Sequence, residues 1–176
     1  MLLSIIVVSY NTKDLTIQTL KSAAADVLSS KLLKDKTEIF LVDNDSKDDS
    51  VKAAKAFSKK SKVPVIVIAT GENLGFAKGN NVAVEKAKGK YIIFLNPDTI
   101  VKKGALETMV KRFENGKNEK LGVLASTLLN PDLTLQAQGG NFPSLPNLFV
   151  HMTMLDNLPF VGKFLPSTQH TGKNSK

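Results

Sequence analysis

The chain has no cysteine and no tryptophan, two histidines, two tyrosines and a single arginine, Arg112. Without cysteine it can form no disulfide, thiolate nucleophile or cysteine-built zinc site, and a reducing compartment is compatible with that composition. His151 and His170 both fall in the last quarter. That argues against a histidine metal site or a serine–histidine relay in the first three quarters. Aromatic residues make up 6% of the chain, few to interleave with basic residues as stacking platforms for RNA. No run approaches the length that spans a bilayer. Met1–Val8 lacks a basic leader and a cleavage site, so it reads as a strand and not as a signal peptide. Internal repeats and low-complexity tracts are also missing.

What is present fits one domain with a sizeable core: 176 residues, of which 42% are hydrophobic. Lysine and arginine number 24 against 16 acidic residues, for a net charge of +8 and a pI near 9.6. This balance favours anionic partners: nucleotide sugars, nucleic acid or an acidic membrane face. The lysines are spread over the chain with no arginine-rich arm, so nucleic acid is set aside. The expected location is cytoplasmic, with basic residues open to peripheral contact at the inner face of the plasma membrane.

The hydropathy pattern alternates. Leu2–Ser9 is a continuous apolar run, read as a fully buried strand. Asn11-Thr12 is placed to cap a helix with an apolar stripe of Leu15, Leu20, Ala24, Val27 and Leu28. Glu38–Val42 is the second strand. Asp45 or Ser46 then caps a helix carrying Val51, Ala54 and Phe57 inward, with Asp48 and Asp49 in its first turn. Val63–Ala69 is the third strand, and a glycine-rich segment, Gly71–Asn81, leads into a helix ending near Gly89. Tyr91–Leu95 is the fourth strand. Ala105–Glu114 is a helix facing inward through Leu106, Met109, Val110 and Phe113. Such alternation predicts an α/β fold: a Rossmann-like, mostly parallel sheet with helices on both faces. After Gly122 the character changes. Leu121–Leu129 is another apolar run, Asn130-Pro131-Asp132 a turn, and Leu133–Gln138 a short alternating strand. The expected division is a nucleotide-binding domain over 1–143 and a partly irregular extension over 144–176.

Right-handed crossovers bring the carboxyl ends of parallel strands to one edge, where open α/β sheets bind ligands. Four polar segments would meet there: Ser9-Tyr10-Asn11, Asp43-Asn44, Asn73–Asn81 and Asn96-Pro97-Asp98. Pro97 stops the fourth strand and leaves the Asp98 carboxylate at its end. Two readings of Asp98 stand side by side, a grip on a divalent cation for a phosphorylated substrate and a cap for the helix beginning near Gly104. Gly75 and Gly79 allow close backbone approach, and Lys78 offers a cation. Asn73, Asn80 and Asn81 place three amides around one turn, which is costly in an apolar core unless they find partners.

The segments Ser4–Asn11, Val42–Ser46, Asn73–Asn81 and Leu95–Asp98, in that order, resemble the family 2 glycosyltransferases. The resemblance is strongest to the bacterial rhamnosyltransferase-like subgroup and extends to Gln136 and Gly139-Gly140-Asn141-Phe142-Pro143. It implies the GT-A fold and inverting transfer of a sugar from a nucleoside diphosphate, with Mg²⁺ or Mn²⁺, to a glycan or lipid-linked acceptor of the cell surface. It places Asp98 as metal ligand in the family's Asp-any-Asp motif, where Asn96 replaces the first acid. It also places Asp43 as the acid that reads a uracil or thymine N3–H, against a purely local role in the Asp43–Ser46 bend. Ser9, Tyr10 and Asn11 fall where the family contacts the nucleoside, although Asn11 fits equally as a helix cap. Lys78 falls beside the diphosphate of a UDP- or dTDP-linked donor. Asp132 and Gln136 are read as hairpin residues, and His151 as packing.

Inversion requires a general base for the acceptor hydroxyl. In the family this acid commonly sits in a downstream Glu-Asp pair. After Phe142 the chain offers only Asp156, in the unrelated context Leu155-Asp156-Asn157-Leu158. The expectation is therefore a donor-binding part, truncated before the catalytic base, with little transfer of its own. An apolar surface left where an acceptor half docks would favour homo-oligomers. A nucleotidyltransferase would need a glycine- and arginine-rich loop after the first strand, which Ser9-Tyr10-Asn11-Thr12 is not. A non-catalytic nucleotide-binding or partner-binding module is the remaining alternative.

Overall fold

A computed structural model describes residues 1–115, 121–136 and 144–155. The chain divides into two units, Met1–Leu121 and Gly122–Lys176. In the first, the elements alternate: β1 (Leu3–Ser9), α1 (Lys13–Ser29), β2 (Thr37–Asp43), α2 (Ser50–Lys60), β3 (Val65–Ala69), α3 (Gly75–Val84), β4 (Tyr91–Phe94) and α4 (Ala105–Glu114). The four strands pair in parallel in the order β3-β2-β1-β4. The sequence order reverses direction between β1 and β4, the switch point at which such sheets open a crevice.

Alternation along β1 divides the core between two layers. Leu3, Ile5 and Val7 pack with Leu20, Ala23 and Val27 of α1, Ala54 of α2, and Leu106 and Val110 of α4. Ile6 and Val8 pack with Phe40, Val42 and Ala83 on the opposite face, which α3 covers. With helices on both faces, every residue of β1 and β2 is buried, which is why the middle of each strand, Ile5–Val8 and Ile39–Val42, is uninterruptedly apolar.

Several boundaries differ from expectation. The buried face of α1 runs through Thr16, Thr19, Leu20, Ala23, Ala24 and Val27, while Leu15 is exposed. One residue is a rotation of about 100°, so Leu15 lies off a stripe that Thr16 occupies. Helix α2 begins at Ser50, with Asp49 at its N-cap position and no acid in its first turn. Neither Asp45 nor Ser46 caps it, because the chain from Asp45 to Asp49 is not helical. Only residues 71–74 of the glycine-rich segment precede α3; the rest, from Gly75 to Asn81, forms its first turns, and the helix ends at Val84. Strand β3 begins two residues later than read, at Val65: Pro64 accepts the Ile39 N–H through its carbonyl but has no N–H of its own to extend the ladder.

Helix α4 is capped from a distance. Its N-cap position is Gly104, in the left-handed conformation with φ +81°. Asp26 of α1, 2% exposed, accepts the N–H groups of Gly104 and Leu106. Asp98 is not the cap.

In the second unit, Asn130–Asp132 forms a turn held by Asp132, whose Oδ1 accepts the N–H (3.0 Å) and hydroxyl (2.6 Å) of Thr134. The expected strands on either side reduce to one antiparallel bridge, Leu129 with Leu135. Helix α5 covers Leu145–Met152 and contains His151. Gly139–Pro143, Asp156 and His170 lie outside the described residues.

Candidate nucleotide-sugar site

Parallel pairing sets Ser9 opposite Asp43 and Asp43 opposite Ala69. The Leu95 N–H reaches the Ile6 carbonyl, so β4 leaves the sheet at the same edge. The residues after β1, β2, β3 and β4 therefore share that edge.

Asp43 is the buried acid among them, 1% exposed. Its Oδ2 accepts the Ser46 N–H at 3.0 Å, while its buried Oδ1 has no hydrogen-bond partner among the described residues. A buried acceptor left unpaired is costly, so this oxygen marks a place where a donor belongs. Tyr10 follows β1 immediately and is 48% exposed; its ring offers a flat apolar face.

Ser9 is buried, and Asn11, although exposed, is bonded to the neighbouring loop. Asn11 adopts φ +53°, a left-handed position that asparagine tolerates better than most residues. Its N–H donates to Ser46 Oγ at 2.9 Å and its Oδ1 accepts the Lys47 N–H at 2.7 Å. One loop below, Asp48 Oδ2 accepts the Lys13 N–H at 3.1 Å. Together these bonds join the β1–α1 and β2–α2 loops. The Ser9 hydroxyl is shared with Thr16 (2.9 Å) and Thr12 (3.2 Å), so it organises the start of α1.

The amides of the glycine-rich segment split three ways. Asn73 Oδ1 accepts from Asn44 Nδ2 at 2.7 Å and from the Gly75 N–H at 2.9 Å. Asn44 Oδ1 in turn accepts the Leu74 N–H at 3.0 Å. This pair of amides ties the first residues of α3 to the end of β2. Asn80 is buried and donates to the Phe76 carbonyl one turn back at 2.9 Å, so it serves the helix. Asn81 and Lys78 are exposed. Gly75 has φ +75° with open space around it, whereas a Cβ at Gly79 would meet Val8 Cγ1 at 3.1 Å. Close approach at Gly79 is thus toward the sheet, and at Gly75 it is free for a ligand.

Asn96 and Asp98 are exposed beyond β4. The Asp98 side chain makes no hydrogen bond among the described residues, although the backbone on either side of it is bonded to Thr19. No group of three histidine, cysteine or acidic side chains that could hold a metal occurs among the described residues. One carboxylate beside one amide still fits Mg²⁺ or Mn²⁺, which commonly take one or two carboxylates and fill the remaining positions with phosphate and water.

Sequence reasoning passed over Asn44 as a site residue and Thr19 altogether. Asn44 was visible as a polar residue just past a buried strand. Thr19 belongs to a polar series, Thr19, Ser22 and Asp26, spaced by three and four residues along one face of α1.

The profile described as Glycosyl transferase family 2 matches residues 4–137. Over 100 residues the chain is 31% identical to the minor teichoic acid biosynthesis protein GgaB of Bacillus subtilis, covering 57% of this chain and 11% of that protein. It is 31% identical over 106 residues to a poly(ribitol-phosphate) beta-glucosyltransferase of Bacillus spizizenii, covering 60% and 16% respectively. The chain thus spans a minor part of either relative. Among solved structures, TarS of S. aureus superposes with a TM-score of 0.57 at 25% identity, over 65% of this chain and 20% of that one. A mannosyltransferase of Pyrobaculum calidifontis, solved with GDP-Man and Mn²⁺, superposes with a TM-score of 0.61 at 21% identity, over 74% and 36%. The sheet order, the crevice at its switch point and these likenesses agree on the GT-A fold, and by the match over 4–137 the chain belongs to glycosyl transferase family 2.

Proposed function

We propose that this chain supplies the donor site of an inverting glycosyltransferase that takes a sugar from a uridine or thymidine diphosphate and delivers it to a glycan or lipid-linked acceptor. The observation that carries the reading is the unpaired, buried Oδ1 of Asp43 at the strand edge. A uracil or thymine N3–H is a donor suited to that oxygen, and cytosine, which has an acceptor at N3, is not. Tyr10 stacks against the base or ribose with its exposed ring. The opening of α3 at Gly75, held in place by Asn44 and Asn73, faces the diphosphate along with Lys78. Asn81 lines the same helix, and Asn96 contributes its amide to the sugar-phosphate end. Ser9, Asn11 and Asn80 act indirectly, by fixing the loops and helix that carry these groups.

Asp98 holds the divalent cation, with Asn96 beside it as a neutral hydrogen-bonding group. When bound, the cation neutralises the negative charge gathering on the departing diphosphate. The chain's own residues bind the base, orient the diphosphate against α3 and present the anomeric carbon to the open side of the crevice. On this reading the nucleotide-sugar part covers 1–143 and the extension 144–176. The teichoic acid and poly(ribitol phosphate) named for the Bacillus relatives support a cell-surface polymer as acceptor. The resemblance to rhamnosyltransferases supports a hexosyl or deoxyhexosyl group, and the net charge of +8 supports work at the inner membrane face.

Calorimetric titration with UDP, dTDP and GDP, each with and without Mn²⁺, tests the proposal beside Asp98→Ala. Manganese-enhanced binding of UDP or dTDP, with the enhancement lost in the variant, is the expected result. Failure of every nucleotide to bind would overturn the donor site and favour a partner-binding module.

A further inference from the structure

The segment after β4 is held by a neighbouring helix. Thr19, Ser22 and Asp26 lie on one face of α1, and each accepts backbone N–H groups from the stretch 99–106. Thr19 Oγ1 accepts the Thr99 N–H at 3.1 Å and donates its own hydrogen to the Pro97 carbonyl at 2.8 Å. Ser22 Oγ accepts the Val101 N–H at 3.0 Å and donates to the Thr19 carbonyl at 2.9 Å. Asp26 accepts from Gly104 and Leu106. Thr19 is 1% exposed, and both of its bonds are part-buried.

The residue bracketed by the two Thr19 bonds is Asp98. Its carboxylate is exposed and unbonded among the described residues, yet the peptide groups on both sides are fixed by one hydroxyl. We infer that Thr19 is a positioning residue for Asp98, orienting the carboxylate for a cation by immobilising its backbone in advance. The inference rests on the donor-site reading, in which Asp98 meets the cation. Its physical basis is preorganisation: a carboxylate on an ordered backbone loses less conformational freedom when it takes a ligand. A hydroxyl is required because the two flanking groups are one donor and one acceptor, and a single hydroxyl satisfies both.

The test compares UDP affinity with and without Mn²⁺ in the full chain, in Thr19→Val, Thr19→Ser and Asp98→Ala. Valine keeps the volume and removes both bonds; serine keeps the hydroxyl. Positioning predicts that Thr19→Val and Thr19→Ser keep the metal-free affinity of the unmodified chain. The manganese enhancement should vanish in Asp98→Ala, fall about fivefold or more in Thr19→Val and persist in Thr19→Ser. A wild-type enhancement in Thr19→Val overturns the inference and leaves the donor site standing. Equal losses with and without metal overturn it too, because a merely structural role would produce them. If the unmodified chain shows no manganese enhancement, the metal reading fails and the inference falls with it. If Thr19→Val does not fold, Thr19→Cys carries the same comparison, since a thiol is a weak hydrogen-bonding group of similar size.

Discussion

Asp43 shows how much one carboxylate can do when its two oxygens have different surroundings. Oδ2 closes the bend by accepting the Ser46 N–H, and Oδ1 is left for another donor. The local role weighed from the sequence falls on Oδ2, and the proposed base-reading role rests on Oδ1. Asp43→Asn keeps the shape and introduces an N–H₂ group. We predict that UDP binding weakens about tenfold, the scale of one hydrogen bond to a charged group, and that CDP gains relative to UDP. Competition titration of the two nucleotides checks this. Asp48 provides a pH handle nearby. Hydrogen bonding from Ser50, opposed by partial desolvation and aided by the Lys13 N–H, holds its carboxyl below the ordinary value. A folded-state pKa below the unfolded one contributes stability above the unfolded value, and the contribution is lost as pH falls through the folded one. Melting curves of wild type and Asp48→Ala should differ at neutral pH and converge below about pH 4 as the carboxylate protonates.

At the scale of elements, α1 is both a core helix and a scaffold for the loop that follows β4. Its polar face reaches residues some eighty positions away in the chain, and its apolar face packs on β1. Asp26 is the strongest case, since it replaces the missing side-chain cap of α4. Asp26→Ala leaves two N–H groups without an acceptor and should cost about 2–4 kcal/mol. Asp26→Asn, with one acceptor oxygen kept, should fall between. Denaturant unfolding of the two variants measures both. The glycine-rich segment illustrates a different point. Its glycines suggested a loop, yet Gly79 is inside α3, where a Cβ would press on Val8 Cγ1 at 3.1 Å. Packing against the sheet outweighs glycine's low helix propensity there.

At the scale of the molecule, the parallel sheet collects four loops at one edge, and the ligand proposed for that edge links them. Anything that binds the folded state alone stabilises it by mass action. UDP at a hundred times its Kd, with Mn²⁺, should therefore raise unfolding stability by about 2.7 kcal/mol, read as an upward thermal shift. The net charge of +8 attracts a diphosphate over distance, so the affinity should decline with added salt as exposed charges are screened.

The alternation of elements, the parallel sheet with helices on both faces, and the four polar segments at strand ends were all legible in the sequence. Each rests on local periodicity or on residues adjacent to a strand end. The helix limits near glycine, the weak pairing after Gly122 and the partners of each polar side chain were not legible, because they depend on what lies across space. Asn80 and Asn81 are adjacent and identical in type, yet one is buried in α3 and the other is exposed. Likewise nothing in Asp26 or Thr19 taken alone announces a cap or a clamp. Hydrophobic patterning determined the architecture, because burial acts through a face of repeating residues. Tertiary structure decided which polar atoms are satisfied and which, among the described residues Asp43 Oδ1 and Ser50 Oγ, are not, because hydrogen bonds require particular partners at about 3 Å.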